Sequence, residues 1–187
     1  TVTSISDLPV LSLLPSESEM IIFEDTDLYS IDLTATDNDF MMNEDVLSYT
    51  VASSDESLVT VSITTSGIGD AAQLFINPVA HQHGTSNITV TVTDVFGHTD
   101  TDSFIVTINS VQDDPILTLA PTAAESTVDE DSATYIIAVT AVDHDIVIDG
   151  DSLTYSVEAS DDTLVSLNIV TTGTGESADL YVELLAN

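Results

Sequence analysis

The chain has no lysine, arginine, cysteine or tryptophan, and its 187 residues hold 33 Asp and Glu against 4 His, a formal charge of −33. At ordinary usage roughly 20 basic residues would occur in this length. Their absence excludes chemistry that depends on Lys or Arg, such as Walker-type phosphate cradles, Schiff bases and arginine clamps on phosphate or carboxylate. Sequence-independent nucleic-acid binding is excluded too, because it neutralises phosphates with cations, and adsorption to an anionic leaflet fails for the same reason. There can be no disulfide and no Lys–Asn isopeptide link, and internal ion pairs are restricted to those His or the amino terminus can make. No apolar run approaches the ~20 residues of a membrane span. The segment is therefore expected to be soluble, without direct membrane insertion, with any export signal or anchor lying outside it.

Disorder is the usual outcome of such a charge, but 43% of the residues are hydrophobic, enough to bury a core. Sliding the sequence on itself gives one ungapped register at an offset of 106 residues. Glu24-Asp25 falls on Glu130-Asp131, Asp37-Asn38-Asp39 on Asp143-His144-Asp145, and Leu47-Ser48-Tyr49 on Leu153-Thr154-Tyr155. From Ile5/Val111 onward 29 of 77 aligned pairs are identical, which marks a tandem repeat. The expected organisation is the tail of a preceding repeat at 1–4, a first repeat at 5–110, and a second at 111–187 that lacks its last two strands.

Ile88, Val90 and Val92 alternate with threonines, the period-2 signature of a half-buried strand, as do Val59, Val61 and Ile63, or Ile31, Leu33 and Ala35. Punctuation such as Ser66-Gly67-Ile68-Gly69 and Asn77-Pro78 breaks the runs, and no window shows sustained helical spacing. The first repeat predicts strands at 10–14 with 20–23 (A), 28–36 (B), 46–53 (C), 57–65 (D), 72–77 (E), 86–94 (F) and 101–110 (G). Seven short strands in about 100 residues predict an all-β chain of immunoglobulin-like antiparallel sandwiches.

Alternating strand direction sorts the acids onto two poles. Asp7, Asp37, Asp39 and Asp94 belong at the leading pole of the first repeat. Glu24, Asp25, Asp55 and Glu56 belong at its trailing pole with Gln112-Asp113-Asp114, against which the second repeat would bring Asp143 and Asp145. Two carboxylates ~4 Å apart repel by roughly 4 kcal/mol at an effective dielectric of 20. A hard divalent cation reverses that sign. Ca²⁺ suits irregular oxygen cages, Mg²⁺ demands near-ideal octahedral geometry, and Zn²⁺ wants Cys or several His. Asp45 and Asp151 also repeat but lack the EF-hand pattern. His81-Gln82-His83 supplies too few imidazoles for a closed metal site and reads as a loop, and Asn87-Ile88-Thr89 reads as a chance glycosylation match. Paired carboxylates could serve a glycosidase, but no Trp and 5% aromatics give it no sugar platform, and the chain is read as no enzyme.

At these residues the chain resembles the cadherin-like, immunoglobulin-fold tandem repeats of large bacterial surface adhesins. The resemblance rests on Val111-Gln112-Asp113-Asp114-Pro115, on Glu24-Asp25-Thr26 and Glu130-Asp131-Ser132, and on the Asp-x-Asp pairs. Leu-x-Tyr at the start of strand C and Thr91-Val92-Thr93-Asp94-Val95-Phe96-Gly97 complete it. It implies Ca²⁺ at the junctions, stiffening an array that holds an adhesive tip away from the cell. Its implied ligands are Glu24, Asp113, Asp114, Asp143 and Asp145, an equivalent leading set at Asp7, Asp37, Asp39 and Asp94, and Glu130 in the place of Glu24 in the second copy. Two departures stand out: Gln112 replaces the usual Asn, and Ser6-Asp7-Leu8 lacks the second acid that Asp114 supplies. The expected role is an extracellular, cell-surface stalk or spacer whose partners are its own neighbouring repeats. Two alternatives are a subunit of a fibre, sheath or lattice built with copies of itself, and a module that binds a glycan or protein.

Overall fold

The computed structural model describes residues 7–14, 18–38, 46–67, 69–120, 127–129, 132–148, 150–173 and 175–185. The chain is all-β and divides into two compact units, Thr1–Val111 and Gln112–Asn187. Among the described residues no helix is long and apolar enough to cross a membrane.

The first unit is a sandwich of two four-stranded sheets. One is ordered β1-β3-β6-β5, built from Val10–Leu14, Tyr29–Thr36, Ala71–Pro78 and Val59–Ser66. The other is ordered β2-β8-β7-β4, from Glu19–Phe23, Thr99–Asn109, Gly84–Thr93 and Ser48–Ser53. Every pair is antiparallel except β2 with β8, which runs parallel. This is the immunoglobulin-type order, with the first strand broken so that its halves join opposite sheets. The alternating apolar residues face inward. Leu33, Val59, Leu74 and Ile76 of one sheet meet Ile88, Val90, Val92 and Val106 of the other, all at 0–1% exposure. Each such side chain contributes about 1.5–3 kcal/mol on leaving water.

The second unit reproduces half of this plan. Its sheet β11-β12-β10-β9 comprises Val165–Thr172, Ser177–Leu184, Tyr135–Val142 and Ile116–Ala120. These strands lie 106 residues beyond β5, β6, β3 and β1, with the same register: Val10 pairs with Thr36 as Ile116 pairs with Val142. The strand C expected in the second copy is not formed, for residues 151–159 join no ladder. Its counterpart β4 is held by β7, and the sequence contains no second copy of β7. For the same reason Leu180 and Val182 stay half-buried where Leu74 and Ile76 are fully enclosed. A single helical turn, α1 at Asp145–Ile148, stands where the sequence predicts loop.

One contact explains two recurring motifs. The Tyr49 hydroxyl donates to the Gly69 carbonyl at 2.8 Å, and Tyr155 donates to Gly175 in the second unit. Burial, then the charge of Asp70, pushes the Tyr49 phenol above its ordinary pKa. Gly69 has φ +96°, and a Cβ there would lie 2.1 Å from the Leu47 carbonyl oxygen, so Leu-x-Tyr and Gly-x-Gly form one docking element. Gly67, at φ +61°, meets only the Asp70 side chain, at 4.0 Å. Gly67→Ala should therefore cost about 1–2 kcal/mol, the left-handed penalty alone, and Gly69→Ala distinctly more. Urea unfolding followed by circular dichroism checks the order, and equal costs for the two variants would show that the carbonyl contact is unimportant.

Candidate cation sites

Strand parity places the buried acids. Met20 and Ile22 face the core from β2, and the next residue of that stripe is Glu24, 2% exposed. Ile88, Val90 and Val92 lead in the same way to Asp94 at 5%, and Val139 and Ala141 to Asp143 at 6%. Ile31, Leu33 and Ala35 lead to Asp37, which is half-buried. Each carboxylate thus ends an inward row, where the chain leaves the sheet. A buried carboxylate costs several kcal/mol unless donors or a cation compensate it, and this chain has no Lys or Arg to do so.

Asp94 is compensated within its own turn. Its Oδ1 accepts the Phe96 and His98 amides at 2.9 and 2.7 Å, and its Oδ2 lies 2.8 Å from His98 Nδ1. Burial pushes this carboxyl up, but the His98 amide, the His98 ring, the Phe96 amide and the His98 charge outweigh it, so the pKa falls below the usual carboxylate value.

Glu24 is compensated by half. Its amide extends the β2–β8 ladder to the Asn109 carbonyl at 3.0 Å, which fixes the side chain on the inner face. Oε1 accepts the Val111 amide at 2.9 Å and lies 4.0 Å from His83 Nδ1. Oε2 is buried with no hydrogen-bond partner. Beside it, Asp25, at φ 55°, accepts the His81 amide at 3.0 Å and faces His81 Nδ1 at 3.4 Å.

In the second unit Asp143, Asp145 and Asp113 come together. Asp143 Oδ1 accepts the Asp145 amide at 3.0 Å, which opens α1, and Asp145 Oδ2 accepts the Asp113 amide at 2.6 Å. Gln112 Nε2 donates to Asp145 Oδ2 at 2.8 Å and to Asp151 Oδ2 at 3.2 Å, and His144 Nδ1 lies 3.8 Å from Asp113 Oδ2. The sequence sets Asp151 aside with Asp45 because their loop lacks the EF-hand pattern, and it marks Gln112 only as a neutral replacement of the linker Asn. The repetition of Asp45 as Asp151 was the available signal.

Asp7 and Asp114 are exposed, and Asp39 and Glu130 lie outside the described residues. Among the described residues, three ligand atoms of one unit nowhere lie mutually within 4.8 Å. Asp55 and Asp161 are turn acids. Each accepts both the amide and the hydroxyl of the residue two ahead, Ser57 and Thr163, and these bonds lower both pKa values, the hydroxyl contributing most. Carboxylate oxygens predominate among the donors, with the His81, His83 and His144 rings beside them, and the orphaned Glu24 Oε2 fits a hard divalent cation.

No protein-family model and no curated protein sequence matches the chain. Domains 4 and 5 of the S-layer protein SbsC are similar in structure over 57% of this chain and 54% of theirs, at 20% identity and a TM-score of 0.42. Extracellular cadherin domains 1–4 of protocadherin gamma B7 align over 98% of this chain and 43% of theirs, at 11% identity and a TM-score of 0.44. The BIgI domain of the beta protein from S. agalactiae aligns over 56% and 99%, at 14% identity and a TM-score of 0.36. The chain spans about half the length of the SbsC fragment it matches. Likeness of this size carries no argument, and the sandwich assignment rests on strand order and pairing.

Asp94→Ala, measured with chelator present, should destabilise by about 1–3 kcal/mol near neutral pH. Because the folded pKa is depressed, that stability exists above the unfolded carboxylate value and is lost as pH falls through the folded one. Wild-type and variant urea midpoints should therefore converge in acid; a constant gap would contradict the assignment.

Proposed function

We propose that the chain is a non-catalytic structural repeat segment of an extracellular surface protein, and that its acidic sites take Ca²⁺. The observation that carries this reading is Glu24 Oε2, a buried carboxylate oxygen with no hydrogen-bond partner in a chain of charge −33 without Lys or Arg. The ligands would be Glu24 within the first unit and, within the second, Asp113, Asp143 and Asp145, with Asp151 and Gln112 close by and Asp114 beside them in sequence. By sequence position Asp7, Asp37, Asp39 and Asp94 would be the equivalent ligands of the first copy, and Glu130 would correspond to Glu24 in the second. A bound ion would supply the counter-charge that the side chains lack, converting mutual repulsion into a cross-link.

The role can take two forms, a single-chain stalk or a subunit of an assembled surface layer. The choice between them rests on assembly in solution. A stalk stays monomeric and stiffens with Ca²⁺, whereas a layer subunit forms large assemblies.

Metal-depleted chain should melt at a higher temperature once millimolar Ca²⁺ is added, by the stabilisation that binding to the folded state confers, about 2.7 kcal/mol at a hundredfold excess over Kd. Glu24→Gln and Asp145→Asn should each remove much of that increment, while Asp102→Asn leaves it unchanged. Differential scanning calorimetry reads all four, and an unchanged melting temperature with Ca²⁺ overturns the proposal.

A further inference from the structure

The outer face of the β2-β8-β7-β4 sheet is almost free of charge, in a chain where 33 of 187 residues are acidic. Residues of β7 between the buried Ile88, Val90 and Val92 are Asn87, Thr89, Thr91 and Thr93; those of β4 include Thr50 and Ala52. On β8, Thr101, Ser103, Ile105 and Thr107 point outward, since Phe104 and Val106 are core. Asp100 and Asp102 have the opposite parity: they pair with Val92 and Val90, and Asp100 Oδ2 takes the Leu11 amide of the other sheet. The one outward carboxylate, Glu19, stands on the edge strand and accepts the Thr107 hydroxyl at 2.9 Å. Around that edge the face is apolar, with Ile21, Phe23 and Ile105 exposed at 62, 49 and 46%. The opposite sheet also carries one outward carboxylate, Asp32, but holds it on the inner strand β3, within the face, and not at an edge.

We propose that this face is a contact surface for a second copy of the chain, which deepens the assembled form of the role above and needs no cation. Charge selects the occupant. Copies carrying −33 each repel, and least through surfaces poor in carboxylates; like faces of Thr, Ser and Ile bring only Glu19, on the edge strand and bonded by the Thr107 hydroxyl, toward one another. Four strands of 5, 11, 10 and 6 residues, at ~3.4 Å per residue and ~4.8 Å spacing, give about 500 Å² per partner, below the ~800 Å² of a standard interface. A single contact is thus weak, and tandem copies make it strong through repetition. Screening should help it, since salt damps the repulsion of the acidic ends while leaving apolar contact intact.

The test is sedimentation velocity on the full chain across a concentration series, at low and high ionic strength, with millimolar Ca²⁺ or with chelator. Self-association should occur with chelator, strengthen with salt, and weaken at least tenfold in Ile105→Asp and in Thr89→Asp, while Ser62→Asp on the opposite sheet leaves it unchanged. Ile105→Ser replaces the first variant where melting shows that it does not fold. A monomer at every concentration and salt overturns the proposal, as does association that ignores both face variants or is lost equally in Ser62→Asp. Association that requires Ca²⁺ and ignores the face variants also overturns it while leaving the cation reading standing. A glycan captured by this face without self-association overturns it as well.

Discussion

Negative charge held where water cannot reach it, without a lysine or arginine to answer it, is the constraint on which the rest of this protein depends. Glu24, Asp94, Asp143 and Asp145 are at most 6% exposed, and the chain contains neither Lys nor Arg. Each must be met by backbone amides, by histidine or by something from solution. Asp94 uses the first two and closes its own hairpin turn. Asp145 draws on Gln112 and the Asp113 amide, and Glu24 is left with one oxygen unanswered. The degree of compensation, more than the number of acids, separates a turn acid from a candidate ligand.

The same constraint shapes the surface. In the first unit the acids gather in turns and at strand ends, and the sheet faces carry Thr and Ser with one outward carboxylate each, Glu19 and Asp32. Both accept a side-chain hydrogen bond, from Thr107 and Gln73. β-Branched threonine suits a pleated surface and gives solubility without charge. Ends and sides are thereby chemically distinct, the ends suited to cations and the sides to neutral contact.

Much of the fold was legible in the sequence because a strand's faces are written at period 2. β3 and β5 fall within about two residues of the alternation that predicts them, and an offset of 106 residues reproduces four strands with their register. The switch of the first strand between sheets, and its parallel pairing with β8, were not legible, since a ladder partner some 86 residues away leaves no local mark. Strand C of the second copy was predicted from the repeat and is not formed, because a strand needs a neighbour as well as a pattern. Of the candidate site, the inward parity of Glu24, Asp94 and Asp143 could be read along each strand. The helical turn at Asp145–Ile148 and the roles of Gln112 and Asp151 could not.

By itself the sequence determined the alternation that builds the sheets, the repeat, and the missing counter-charge, all properties of residue order and composition. Tertiary structure alone decided which carboxylates find donors. The Val111 amide reaches Glu24 from 87 residues away, whereas the His98 ring that answers Asp94 comes from within its own turn. The energy of a buried charge is set by the few atoms around it, and folding chooses those atoms from distant parts of the chain.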